Sequence, residues 1–342
     1  MLKKVLLTTT ISIISTSLFA QLKQTDDIKK KLSIETKDTV AWIYGGYASV
    51  GANQAFLHNW SAGGEVLSLT LNGTFSAFLN RIYHRHVWSN NLDMTYGLLY
   101  AYSNNFVPRK IDDRFDFTSK YGYQIDKKGS LFFSGLLNFR TQFAKGYDYN
   151  VPDWRYKPTS NLFSPAYLTL ALGVEYRKNA NFSVFFSPAA ARIIFADKYY
   201  TSLSPTGAFG IENGKTSRFE LGAYFSGRYQ TELNKKLLYR TRLDLYSNYL
   251  AKDVKDGATG AVIKKDNPGN IDILWDNFFS YKFNKLMSVT IGLTSIYDND
   301  LPYQDSYVDA TTGNTVKKNE PGAAFGWWQI KQALSIGVEY RF

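Results

Sequence analysis

Three histidines, His58, His84 and His86, and no cysteine are available for chemistry. The missing thiols exclude Cys-based zinc sites, iron–sulfur clusters and a disulfide scaffold. Hydrolysis by an activated nucleophile would need one of the imidazoles beside a serine or a carboxylate. Ser89 follows His86 by three residues, but Arg85 sits between the two neighbouring histidines and marks a solvated basic turn. His58 precedes Trp60, with Asn59 and Glu65 nearby, and no nucleophile motif accompanies it. The chain therefore reads as a non-enzyme with no cofactor, and an outer-membrane hydrolase is the last of its readings. Asp298, Asp300 and Asp305, with Asn299, gather oxygen ligands of the kind Ca²⁺ takes, without the spacing of an EF-hand.

The larger chemical resource is a set of charges at alternate positions of extended segments. It comprises Arg114, Asp116 and Lys120, then Arg140, Glu175, Arg218, Glu220 and Arg228, then Arg240, Arg242 and Asp244, and finally Lys331 and Glu339. Acids and bases on neighbouring strands can pair across a ladder and fill a narrow interior. A basic surplus along an open wall would instead favour anions. Arg240 and Arg242, followed on their face only by Asp244, are the candidates for such selectivity.

The elements that must hold these charges are long two-faced strands. In Arg218 to Leu233 the polar set Arg218, Glu220, Ser226, Arg228, Gln230 and Glu232 opposes Phe219, Leu221, Ala223, Phe225, Tyr229 and Leu233. Soluble strands average about five or six residues. These segments run to ten or more, enough to cross a bilayer at a tilt. Past the N-terminus no uncharged apolar run is long enough for a spanning helix. Hydrophobic residues make up 44% of the chain and aromatics 16%, too many for a disordered one.

About twelve strands are expected, near residues 42–56, 65–79, 87–102, 113–125, 131–145, 165–177, 182–196, 217–233, 237–250, 271–283, 287–298 and 327–342. An even number allows a closed antiparallel barrel, and closure is required because an open edge in hydrocarbon leaves backbone groups unpaired. In the seventh, Pro188 and Ala189 to Ala191 suggest a bulge. Links after even-numbered strands are short and, past the first hairpin, links after odd-numbered ones are long, the pattern of periplasmic turns and extracellular loops with both termini periplasmic. The short turns are basic, with Arg81, Arg85, Lys127, Lys128, Arg177, Lys178, Lys235, Lys236 and Lys285. They suit a rim among anionic head groups or a docking surface for a periplasmic partner. Two long loops echo each other, Asp256 to Asp266 and Asp309 to Asn319, each with Thr-Gly before a β-branched residue and Lys-Lys; hairpins projecting above the membrane explain both.

Residues 1–20 read as a signal peptide, with Lys3 and Lys4, an apolar stretch and Ala20 at the cleavage position. Residues 21–41 form a polar periplasmic arm and 42–342 the barrel. The net charge of +11 is not a nucleic-acid footprint in an exported protein. Val338, Tyr340 and terminal Phe342 resemble the strand signal read by barrel-assembly machinery.

Asn59 to Glu65, Ser119 to Tyr123, Leu137 to Phe143, Ser164 to Tyr167, Leu243 to Leu250 and Tyr297 to Asp300 occur in that order. Together they resemble a Bacteroidota envelope family known as domain of unknown function 3078, over Trp42 to Phe342. The resemblance implies an outer-membrane β-barrel and transfers no activity and no catalytic residue.

The expectation is thus a barrel in the outer membrane of a Gram-negative bacterium, bounded by outer-membrane lipid. As a narrow channel it would pass small, weakly anion-preferring solutes. As a non-conducting accessory barrel it would bind a partner protein at its loops or periplasmic rim. Strand number alone leaves an open and a packed lumen equally available.

Overall fold

Segments that alternate rings with charges can satisfy both faces only if one face meets an apolar medium and the other a polar interior. The computed structural model shows this arrangement, and it describes residues 40–342 apart from 57–66, 150, 180, 204–206, 235, 256–261, 265–266, 285–286, 299–304, 309–314 and 319–327. The signal-peptide expectation and the arm expectation as far as residue 39 lie outside the described residues, while residues 40 and 41, expected to end the arm, begin the first strand. Twelve antiparallel strands close a barrel. They are β1 (Val40–Phe56), β2 (Leu67–Tyr83), β3 (His86–Ala101) and β4 (Arg109–Gln124). Next come β5 (Leu131–Thr141), β6 (Ala166–Asn179), β7 (Phe182–Phe195) and β8 (Ser217–Asn234). β9 (Leu237–Asn248), β10 (Ile271–Lys282), β11 (Met287–Tyr297) and β12 (Trp328–Arg341) complete the wall. Each strand pairs with its chain neighbours, and β12 returns to β1.

The seam between β12 and β1 is the shortest in the wall, six residue pairs from Tyr47↔Arg341 to Ala52↔Ile336. Phe342 ends it: its backbone N–H donates to the Gly46 carbonyl and its carbonyl accepts from Gly46 N–H, both at 3.0 Å. Its ring stacks outside the wall on Phe75, with centroids 6.1 Å apart. A Cβ on Gly46 would lie 2.3 Å from the Ser76 carbonyl oxygen and 2.7 Å from that ring, so glycine is what the close approach of backbone requires here.

Several boundaries differ from the sequence expectation for local reasons. β2 runs on to Tyr83, and the turn shrinks to His84 and Arg85, with His84 at φ 50°. Arg81 therefore belongs to the strand rather than to a basic turn, its guanidinium over the rings of Trp42 and Tyr83. β5 stops at Thr141 instead of 145. Its continuation bends away because the N–H groups of Phe143 and Ala144 donate to the Asp113 carboxylate at 2.7 and 2.8 Å. The link after β7 holds a helical turn, α1 (Lys198–Thr201), whose Tyr199 N–H donates to the Asp197 carboxylate at 2.7 Å. Four residues carry no readable helical period, which is why the sequence does not announce it. The described parts of the two echoing loops pair as hairpins, Val254–Lys255 with Val262–Lys264 and Asp305–Val308 with Thr315–Lys318.

The bulge expected in β7 is present. Between Gly222 and Tyr224 of β8, the partners in β7 step from Ala190 to Ser187, one residue more than the ladder needs. The Ser187 hydroxyl, wholly buried, donates to a backbone carbonyl of this break; the Leu172 and Ala189 oxygens lie 2.7 and 2.9 Å away.

The exterior is apolar: Leu172, Phe219, Leu221, Ile291, Leu334, Ile336 and Val338 all stand exposed. A ring of aromatics marks the end that carries the short turns, with Trp42, Tyr83, Trp88, Tyr121, Tyr281 and Tyr340 exposed. Buried carboxylates, amides and hydroxyls occupy the inside. This inversion of a water-soluble protein, with an aromatic girdle, is the surface a hydrocarbon layer demands.

Candidate functional site: the barrel lumen

Inward carboxylates are the most costly groups in the lumen, since burying an unpaired charge costs several kcal/mol. Three of them are each held between two cations. Asp116 lies 2.9 Å from Arg114 on its own strand and 3.0 Å from Arg242. Glu175 lies 2.5 Å from Lys120 and 3.1 Å from Arg177. Glu220 lies 2.6 Å from Arg192 and 2.9 Å from Arg218. A fourth, Glu339, sits 3.3 Å from Lys282 and accepts from the Ser280 hydroxyl at 2.9 Å.

Some of these pairs cross the lumen. Arg114 of β4 reaches Asp276 of β10 at 3.0 Å, and β4 and β10 are six strands apart in a ring of twelve, hence opposite. Arg242 of β9 reaches Asp116 of β4 and also holds Asp244 at 2.6 Å. Lys331 of β12 meets Asp112 of β4 at 2.7 Å. Arg240 crosses to the β1–β3 wall, where its guanidinium donates to the Tyr47 hydroxyl at 3.0 Å and to Ser76 Oγ at 3.3 Å, with Asp93 at 3.8 Å.

The struts divide the interior unequally. Between β5 and β9, Leu136, Ala171, Phe185, Ala190, Tyr224 and Tyr246 pack into one buried cluster. Along β1–β4 and β10–β12 most inward residues are small or polar, Tyr47, Phe78 and Phe278 apart, and a cavity of about 1680 Å³ remains that also reaches Glu175, Ser183 and Arg228 of β6 to β8. At roughly 30 Å³ per molecule it has room for about 50 waters. Lys127, Lys128 and Lys178 line its short-turn end, and Asp112 and Lys331 line it toward the long loops. Its described lining carries eleven basic and five acidic side chains. The alternatives left open by the sequence, packed and hollow, exist side by side.

Of the sequence candidates, Arg114, Asp116, Lys120, Glu175, Arg228, Arg240, Arg242, Asp244 and Lys331 meet in or beside this cavity. Arg218 and Glu220 belong to the packed side, and Arg140 lies over the Tyr167 ring at 4.9 Å. Glu339 sits with Lys282 near the closing seam. Of the two candidate selectivity groups, Arg242 is clamped by two carboxylates and Arg240 is the freer, with 34% of its side chain exposed. Ser226 sits in a tight site, donating to Asp244 at 2.7 Å.

Arg192 was not among the expected lumen residues, and it anchors the packed half. It binds Glu220, reaches Asp272 at 2.5 Å and lies 3.9 Å over the Tyr246 ring. Counting in twos from inward Phe185 puts residue 192 on the lipid side; the extra residue at the Ser187 bulge turns it inward. A bulge cue followed by a strict recount would have found it.

Two of the three histidines, His84 and His86, are described. Nδ1 of His86 lies 2.6 Å from the Tyr121 hydroxyl, while Ser89 pairs with Asn80 of β2. His58 lies outside the described residues. Of the candidate calcium ligands, Asp298 follows the end of β11, whereas Asp300 and the Asp305 side chain are not described. Among the described residues no group of three or more acidic or histidine side chains could hold a metal ion.

Residues 52–147 match the profile of a family described as protein of unknown function (DUF3078). That stretch runs from the second half of β1 into the loop after β5. No curated protein matches the chain significantly. Among solved structures it is similar to a deltaS2 mutant of the monoaromatic hydrocarbon channel TodX, with TM-score 0.32 and 9% identity over 92% of each chain. It is also similar to the outer-membrane channel DcaP of Acinetobacter baumannii, with TM-score 0.27 and 10% identity over 91% of this chain and 99% of that one. A third is the P. putida toluene transporter TodX, with TM-score 0.24, 11% identity and 92% coverage of each chain. The barrel itself rests on its own strand order.

Proposed function

We propose that this chain is an outer-membrane barrel that conducts small anionic solutes through a narrow, off-centre pore. The observation that carries the reading is the cavity running beside the packed cluster, its described lining richer in bases than acids by more than two to one. Fixed positive charge along a low-dielectric wall lowers the barrier for anions and raises it for cations. The signal peptide at residues 1–20 and the arm that follows belong to the same reading, with the short basic turns periplasmic and the long loops outside. The struts at Arg114–Asp276 and Arg242–Asp116 favour a second reading, a plugged accessory barrel that docks a partner.

Planar-bilayer recording of the refolded protein in a salt gradient separates the two. The reversal potential should show anion preference, and Arg240→Gln should reduce it, most clearly at low ionic strength where screening is weak. A wild-type protein that inserts and passes no current would replace the channel with the accessory barrel.

A further inference from the structure

Between the mid-barrel struts and the short-turn mouth lies one level of the lumen whose charges are not balanced. Arg228 of β8 faces across to β4, its Nη2 3.4 Å from Thr118 Oγ1. Its ladder neighbours are Arg242 on β9 and Ser183 on β7, so neither side offers it an acid. Lys120, two residues along β4 from Thr118, shares Glu175 with Arg177. Three cations thus meet a single carboxylate, and all four line the cavity. Arg114, Arg192, Arg218 and Arg242 each have a carboxylate within 2.9 Å. For Arg228, among the described residues, the hydrogen-bond partner is one hydroxyl at long range.

We propose that Arg228, with Lys120, Thr118 and Ser183, forms a binding station for a free tetrahedral oxyanion such as inorganic phosphate, part-way along the pore. The inference rests on the channel reading and gives it a substrate class. A guanidinium presents parallel N–H donors that match two oxygens of one oxyanion, which spherical chloride cannot use. The hydroxyls of Thr118 and Ser183 can donate to the remaining oxygens, and Lys120 with Arg177 leaves net positive charge beside them. The 3.4 Å contact to Thr118 is weak, so an arriving anion displaces little. The same scarcity of partners makes Arg228 replaceable without stranding a buried carboxylate.

The test records chloride current through the full refolded chain while inorganic phosphate replaces part of the chloride at constant ionic strength. Phosphate should reduce the wild-type current about twofold when half the pores are occupied. Arg228→Gln should lose most of that block, and Arg228→Lys, which keeps the charge but not the fork, should keep part of it. A wild type that conducts chloride unhindered by phosphate, or an Arg228→Gln variant blocked as strongly as wild type, would overturn the station while leaving the channel standing. Absence of any current would instead sink the channel reading. Phosphate should then still raise the temperature at which the unboiled protein loses its compact gel mobility, in wild type and not in Arg228→Gln; no shift would remove the station as well.

Discussion

Between β5 and β9, from Phe185 toward the long loops, the inward side chains meet one another; toward the short turns, at Ser183 and Arg228, and from β10 round to β3 they meet space. Phe185 is 1% exposed and Ala190 and Glu220 are fully enclosed, while the side chains of Asp93 on the far wall and of Arg240, which reaches across to it from β9, keep about a third of their surface. Crowding at glycines follows neighbouring backbone rather than this division, since a Cβ on Gly337 of β12 would fall 2.2 Å from the Val50 carbonyl oxygen. A Cβ built on Gly222 would fall 1.9 Å from the Ser247 carbonyl oxygen, and one on Gly173 would fall 2.0 Å from that of Phe186. On Gly292 of β11 it would touch nothing within 4 Å. Both regions obey the same alternation, so a period of two says which face is inside and nothing about whether that face is filled. Filling depends on side-chain volume: Phe132, Leu136, Phe185, Tyr224 and Tyr246 on one side, Ser, Thr, Asn and Gly on much of the other.

The largest expected break in this contrast comes from Arg192. Arg192→Ala would leave Glu220 and Asp272 without their shared cation in the packed half, a loss of about 3–5 kcal/mol for a broken buried pair. Arg240→Ala, in the hollow half and partly hydrated, should cost about 1 kcal/mol or less. Denaturant titration of the folded, heat-modifiable gel band measures both, and equal losses would erase the distinction between the two regions.

A smaller effect separates the glycines. Gly222→Ala forces backbone to move and should destabilise by about 1–3 kcal/mol as an overpacked site does. Gly292→Ala should stay within about 0.5 kcal/mol of wild type. The same titration reads both, and a destabilised Gly292→Ala protein would mean that the cavity beside β11 is not open space.

The smallest effect lies outside both halves, at the turn between β4 and β5. Desolvation works against the Asp126 carboxylate, but hydrogen bonds from the N–H groups of Leu131, Ser130 and Gly129 and from the Ser130 hydroxyl together outweigh it and hold its pKa below the usual carboxylate range. A carboxyl lowered in the folded state adds stability at pH above its ordinary value of about 3.9, and that contribution is lost as pH falls through the lowered value. Amide exchange at Gly129 and Leu131, corrected for its intrinsic pH dependence, should therefore lose protection on acidification below that range in wild type. Asp126→Asn should remove the pH step, while exchange in the barrel wall stays unchanged.

Legibility followed the range of the physics. The twelve strands, their two faces and the alternation of short and long links could be read because each is decided by neighbours two to twenty residues away. The β7 bulge was legible from Pro188, but its consequence, Arg192 turned inward, was missed because one inserted residue inverts every later position. The end of β5 was misplaced by four residues because the Asp113 carboxylate that captures Phe143 and Ala144 sits on a different strand.

By itself the sequence determined that the chain forms a barrel with an apolar outside and a charged inside, since the pleat sends successive side chains to opposite faces whatever the partner strand. Which charges meet was decided only by closure. Arg114 and Asp276 are 162 residues apart and Asp116 and Arg242 are 126 apart, and they touch because closing the ring sets β4 across from β9 and β10. The off-centre cavity and the unbalanced level at Arg228 follow from the same step. An arginine's pairing depends on what stands across the lumen, and nothing within its own strand specifies that.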